Sequence, residues 1–107
     1  MRERRLLGSC GLLHVIWSAD ADGRVRGAAE VVARGVVGDE ALPWLAGEVR
    51  GKLADVLAEL DPEIRRAPAA CREAVRAALR RFLERRIGRE PYVIATILPE
   101  LSPGPPR

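Results

Sequence analysis

From Gly11 to Ser18 the chain reads Gly-Leu-Leu-His-Val-Ile-Trp-Ser, a run of β-branched, aliphatic and aromatic residues that predicts a strand. Asp20-Ala21-Asp22-Gly23 follows as strong turn chemistry, because an aspartate closes local hydrogen bonds and a glycine accepts positive φ. Arg24–Ala33 then alternates, with Val25, Gly27, Ala29 and Val31 on one side and Arg24, Arg26 and Glu30 on the other. The two runs predict a β-hairpin, with Gly27 and Gly35 marking a bulge or the end of the strand.

The period then changes. Leu42, Leu45, Val49, Leu53, Val56, Leu57 and Leu60 recur at three- and four-residue steps, which predicts an amphipathic helix from about Asp39 to Leu60. Asp39 is the candidate N-cap, and Pro43 sits in the first turn, where its missing N–H does no harm. Gly47 and Gly51, one turn apart, weaken that helix, and close approach of another backbone would offset the cost. Asp61-Pro62 stops it. A second helix begins near Ala67-Pro68, carries Cys71, Val75, Ala78, Leu79, Phe82, Leu83 and Ile87 on its apolar stripe, and is capped by Gly88. Pro91 forbids continuation, Tyr92–Leu98 predicts a third strand, and Pro99 ends it.

The order β-β-α-α-β implies an α+β domain, a three-stranded sheet packed on two antiparallel helices. Two layers leave the far face of the sheet without helices. Tyr92, Ile94 and Leu98 alternate with Val93, Ala95 and Ile97, so part of that face stays apolar. An uncovered apolar patch on so small a domain marks a partner surface, with Tyr92, Ile94 and Leu98 as its candidates. A central third strand, covered in part by its neighbours on both sides, would account for the same alternation.

Length and composition narrow the function. A chain of 107 residues is one small domain. Its longest apolar run is far short of the roughly 20 residues of a membrane span, and Arg2-Glu3-Arg4-Arg5 leads into only two leucines, which is no signal peptide. The expected setting is the cytoplasm. Cys10 and Cys71 are too far apart for a metal knuckle and read as small buried hydrophobes, although a disulfide between them stays open. Lys52 is the sole lysine among eighteen basic residues, and asparagine and glutamine are absent. A GC-rich genome accounts for both features most cheaply, and adaptation to heat is the other account.

Chemistry finds few residues to work with. His14 is the only histidine, so no histidine-rich metal centre and no catalytic histidine pair can form; no metal or cofactor is expected in this chain. Ser9 and Ser18 lack a general base. Gly8-Ser9-Cys10-Gly11 precedes a strand instead of joining a strand to a helix, so it is no phosphate loop. Asp20, Asp22, Asp39 and Glu40 sit around turns, and a calcium loop would need further ligands.

The second helix has an asymmetry. Between Arg72 and Arg89 lie seven arginines against Glu73 and Glu84, a surplus of five, while the whole chain nets only +3. Arg72, Arg76 and Arg80 form one i,i+4 row and Arg81, Arg85 and Arg89 another, and of these Arg76, Arg80, Arg81, Arg85 and Arg89 are the candidates for tracking an RNA backbone, since arginine neutralises phosphates without reading sequence. A solvated helix face in an arginine-biased proteome, favoured by the helix dipole near the C-terminus, is the plainer account. No exposed aromatic stacking platform is expected beside these charges.

Ala78-Leu79-Arg80-Arg81-Phe82-Leu83, followed by Arg89-Glu90-Pro91-Tyr92-Val93-Ile94-Ala95-Thr96-Ile97-Leu98-Pro99-Glu100-Leu101, resembles the closing segment of ribonuclease J. Arg34-Gly35-Val36-Val37 is similar to the segment after that family's second strand, and Arg4-Arg5-Leu6-Leu7 with Gly11-Leu12-Leu13 to its entry into the C-terminal domain. The resemblance covers roughly residues 2–101. Ala33, Val36, Ile87, Gly88 and Glu90 depart from the family pattern, and Glu90 stands where a second arginine is usual.

The resemblance implies a domain at residues 11–101; by composition, residues 1–10 read as a basic linker-like segment and the proline-rich residues 102–107 as a disordered or polyproline-like tail. It implies a parent enzyme whose metallo-β-lactamase and β-CASP domains hold two zinc ions and cut RNA, and none of whose metal signature stands here. A non-catalytic domain that supports oligomerisation and full activity is the corresponding role, with the catalytic domains or a second copy as partner. A free-standing RNA-binding accessory module is the alternative. Met1 is the sole methionine and abuts the linker-like segment, which points to a piece of a longer chain or a truncated product.

Overall fold

The hairpin forms around its aspartate turn. In the computed structural model, which describes residues 11–98, β1 (Leu12–Ala19) pairs antiparallel with β2 (Val25–Arg34). Asp20 organises the turn. Its Oδ1 accepts the N–H groups of Asp22 and Arg24, each at 2.9 Å. Its backbone N–H donates to Arg24 O and its carbonyl accepts from Gly23 N–H, both at 2.9 Å. Further along, Ile16 faces Glu30 while Ser18 faces Arg26, so β2 bulges around Gly27.

After a 3₁₀ turn at Asp39–Ala41 come α1 (Leu42–Glu59), the four-residue α2 (Pro62–Arg65) and α3 (Pro68–Ile87), and β3 (Tyr92–Leu98) ends the fold. β3 pairs parallel with β1, giving a mixed sheet in the order β2-β1-β3. The third strand is therefore an edge and β1 is central. The α+β class and the order of strands and long helices agree with the sequence pattern.

α1 lies over β2 and α3 over β3, and the two helices pack against each other. They run antiparallel: Arg86 near the end of α3 meets Glu48 and Trp44 near the start of α1. The i,i+4 stripes Leu45, Val49, Leu53, Leu57 and Cys71, Val75, Leu79, Leu83 are buried against Leu13, Val15, Trp17 and Val93 of the sheet. Trp17 is filled in so completely that its indole Nε1 finds no hydrogen-bond partner among the described residues.

Three sequence expectations need correction. Asp39 begins the 3₁₀ turn and caps nothing through its side chain; α1 starts at Leu42 with Ala41 as its N-cap. Gly47 and Gly51 face open space, and no backbone approaches them. Between the long helices lies α2, too short to leave a periodic trace. Pro43 and Gly88 take the roles expected of them, Gly88 capping α3 in the left-handed region. The linker-like segment 1–10, the stop at Pro99 and the tail 102–107 lie outside the described residues.

α2 carries Arg65, only 7 % exposed. Its Nε donates to Asp22 O at 2.9 Å, and one terminal nitrogen donates to Leu60 O at 3.1 Å and Leu57 O at 3.3 Å. One guanidinium thus closes the end of α1 and grips the hairpin turn. Gly23 lets it approach: a Cβ there would collide with the backbone and Cγ of Arg65, and φ is +87°. Arg65→Met keeps the apolar stem but leaves those carbonyls unpaired, and should cost roughly 2–4 kcal/mol in urea unfolding.

Asp20 gives a pH signature. The N–H of Arg24 is the main cause that lowers its carboxyl from the ordinary 3.8, against a smaller opposing effect of desolvation. A lowered native pKa stabilises the fold above the unfolded value, and that contribution is lost as pH falls through the native one. Urea midpoints should therefore drop as pH falls below about 5 and on through the ordinary 3.8, less steeply in Asp20→Asn than in the parent chain.

Candidate functional site: the open face and edge of the sheet

Both long helices pack on one side of the sheet, so strand alternation turns every second residue away from them. On β1 these are Leu12, His14, Ile16 and Ser18; on β3, Tyr92, Ile94, Thr96 and Leu98. No described element covers this face. Across it, Val32, His14 and Ile94 form one row, and Glu30, Ile16 and Thr96 the next. The three residues expected from the sequence are brought together: Tyr92 is 57 % exposed, Leu98 is 44 % exposed, and Ile94 between them is half-buried.

Leu12, Ile16 and Val32 extend the patch and were missed, although Leu12 and Ile16 alternate plainly with Leu13, Val15 and Trp17. His14 sits in the middle, its Nε2 2.9 Å from Thr96 Oγ1. The lone histidine thus has a structural bond within the sheet and no hydrogen bond to a carboxylate among the described residues.

The five candidate arginines are all on or just after α3, but not on one surface. Arg76 lies beside β3, paired with Glu73, and Arg80 follows it one turn on. The bond from Arg76 holds the Glu73 carboxyl below its usual value, and that same bond raises the Arg76 pKa. Arg81 and Arg85 flank Phe82, whose ring lies under Lys52 of α1 at 5.8 Å. Arg76 and Arg81 are five residues apart and point about 140° apart around the helix. The two rows therefore diverge, one towards β3 and one towards α1, while Arg89 is exposed beyond the cap.

Aromatic groups do accompany the charges, contrary to expectation. Trp44 is 44 % exposed with the Arg86 guanidinium 5.3 Å from its ring centre, and Tyr92 shares a groove with Arg76. Trp44 stands in the first turn of α1, one position off the buried stripe that begins at Leu45.

Two depressions mark the surface. A cleft of about 360 Å³ lies between Asp20, Arg66, Pro68 and Leu98. Its carboxylate is committed to the turn and Arg65 to backbone carbonyls, so no acid–base pair forms there. The second, about 300 Å³, lies between α3 and β3. No group of three or more histidine, cysteine or carboxylate side chains able to hold a metal ion occurs among the described residues, and no described helix is long and apolar enough to cross a membrane.

A family model described as the ribonuclease J C-terminal domain matches residues 1–99. The chain belongs to that family. A search of curated proteins finds no match. The family is that of the C-terminal domain and not of the catalytic part of ribonuclease J. Of the segments that carried the resemblance, the longest falls on the end of α3 and on β3, which frame the open edge, Gly11-Leu12-Leu13 opens β1 and Arg34–Val37 follows from the end of β2; Arg4–Leu7 and residues 99–101 lie outside the described residues. Glu90, the departure from the family pattern, is exposed between them.

Cys71 offers this ribonuclease J domain no reactive thiol. Burial is the main cause that raises its pKa, only partly opposed by Arg65 and Arg72. In a Cys10→Ser background, a disulfide reagent should label Cys71 only as fast as urea unfolds the chain; rapid labelling of the native protein would contradict its burial.

Proposed function

We propose that this ribonuclease J C-terminal domain is an assembly module, docking through its open sheet face on a second copy or on the catalytic domains of its parent enzyme. The observation that carries it is the apolar patch of Tyr92, Ile94 and Leu98, extended by Ile16 and Val32, on a face that no described element covers. A small domain that leaves such a patch open has a use for it. RNA cleavage in the cytoplasm, with its two zinc ions, belongs in this view to the catalytic domains. Sedimentation velocity across a concentration range, alone and with the catalytic domains added, tests it. Val32→Glu with Leu98→Glu changes exposed positions only, and should weaken association by about tenfold or more. A strict monomer indifferent to the catalytic domains would sink the proposal.

RNA binding is the second reading, favoured by Arg80, Arg81, Arg85 and Arg89, all exposed and without an ion-pair partner among the described residues. Binding to an unstructured uridylate oligomer should then weaken steeply with salt, and Arg76→Glu, Arg80→Glu and Arg85→Glu together should abolish it. Equal binding by the triple variant would end this reading.

A further inference from the structure

The two edges of the sheet are built differently. The β2 edge is defended: the strand bulges around Gly27, carries Arg26, Glu30 and Arg34, and has the Arg50 guanidinium on the Ala29 carbonyl at 2.9 Å. Bulges and charges of this kind stop a sheet from adding strands. The β3 edge has none of them. Tyr92–Leu98 contains no charge, no proline and no glycine, and its register with β1 is unbroken.

Tyr92 donates its N–H to Gly11 O at 2.9 Å. Successive strand residues aim their N–H and C=O groups to opposite sides. Ile94 and Thr96 therefore bond β1 with Tyr92, while Val93, Ala95 and Ile97 turn theirs to the outer edge, where no described strand lies. Along that edge runs the groove of about 300 Å³, floored by β3 and walled by Ala69, Arg72, Glu73 and Arg76 of α3. Arg76 neutralises Glu73, which leaves Arg72 as the surplus charge of the groove; Arg80, one turn beyond Arg76, forms no ion pair among the described residues, although its charge also acts on Glu73.

We infer that the β3 edge accepts an extended acidic segment of a partner protein as a fourth strand, its backbone pairing with Val93, Ala95 and Ile97 and its carboxylates meeting Arg72, Arg76 and Arg80. Main-chain pairing supplies affinity in such additions, and side-chain pockets supply selectivity. A second copy fits less well, because a two-fold axis beside β3 would bring the same arginine row against itself. The edge is separate from the sheet face proposed for docking, and the two are tested apart.

The full chain is titrated with an alternating glutamate–valine heptapeptide, read by amide shifts and hydrogen exchange. Its controls are a lysine–valine peptide, a glutamate–valine peptide N-methylated at alternate residues, and a uridylate dodecamer. The amides of Val93, Ala95 and Ile97 should gain protection with the acidic peptide alone. Arg72→Glu with Arg76→Glu should weaken binding about tenfold or more at low salt. Ala95→Pro removes an outward N–H and leaves the β1 ladder intact, so it should block addition; the N-methylated peptide puts the same question if that variant fails to fold. Val32→Glu, on the sheet face, should leave peptide binding unchanged. Equal binding of the lysine or N-methylated peptide would overturn the inference. So would stronger protection by the dodecamer, or protection of these amides by rising protein concentration alone.

Discussion

The guanidinium of Arg65 meets three carbonyls that belong to different parts of the chain: Asp22 in the hairpin turn, and Leu57 and Leu60 at the end of α1. The last carbonyls of a helix have no intrahelical donor, and a buried one left unpaired is costly. A planar fork of donors serves several at once, which a lysine ammonium on the same stem would do poorly. The bond to Asp22 then fixes where the end of α1 stands relative to the hairpin. Since α3 begins three residues after Arg65, the same contact also sets the start of the helix that covers β3. The position of the sheet's open edge, and of the arginines beside it, is inherited from this one buried cation.

Most of the scaffold could be read from two periods. The hairpin, the third strand and the stripes of both long helices follow from alternation and from three- and four-residue steps, because burial on one side imposes them. Arg65 was not legible. It is one of many arginines, its partners are backbone carbonyls that carry no side-chain signature, and α2 spans too few residues to show a phase. Asp39 failed as a cap for a related reason: a 3₁₀ turn intervenes and shifts the helix start, a local choice between two kinds of turn that residue types alone do not decide. Gly47 and Gly51 were given a packing partner, yet they stand on the solvent side of α1 and have none.

The candidate site was legible in part. Tyr92, Ile94 and Leu98 share a face by strand geometry whatever the neighbours are, so their common exposure follows from spacing. That β3 is an edge does not follow from spacing, since strand order depends on which partner β1 takes. The arginine rows were visible as i,i+4 series, but their divergence depends on where β3 and α1 sit around α3. The exposed aromatics Trp44 and Tyr92 lie at the ends of their elements, where periodic patterns say least about burial.

The parallel pairing of β1 with β3 has a consequence for how the domain is made. Leu12 and Tyr92 stand opposite each other although about eighty residues separate them, and contacts of such span demand the largest closure entropy before they return anything. The hairpin, by contrast, is a local pairing, and it precedes β3 in the chain together with both long helices. Until β3 pairs, the β1 side of the hairpin is therefore an open edge among the described strands, and Leu13, Val15 and Trp17 wait beside a missing neighbour. Adding β3 does not remove that exposure but moves it outward by one strand.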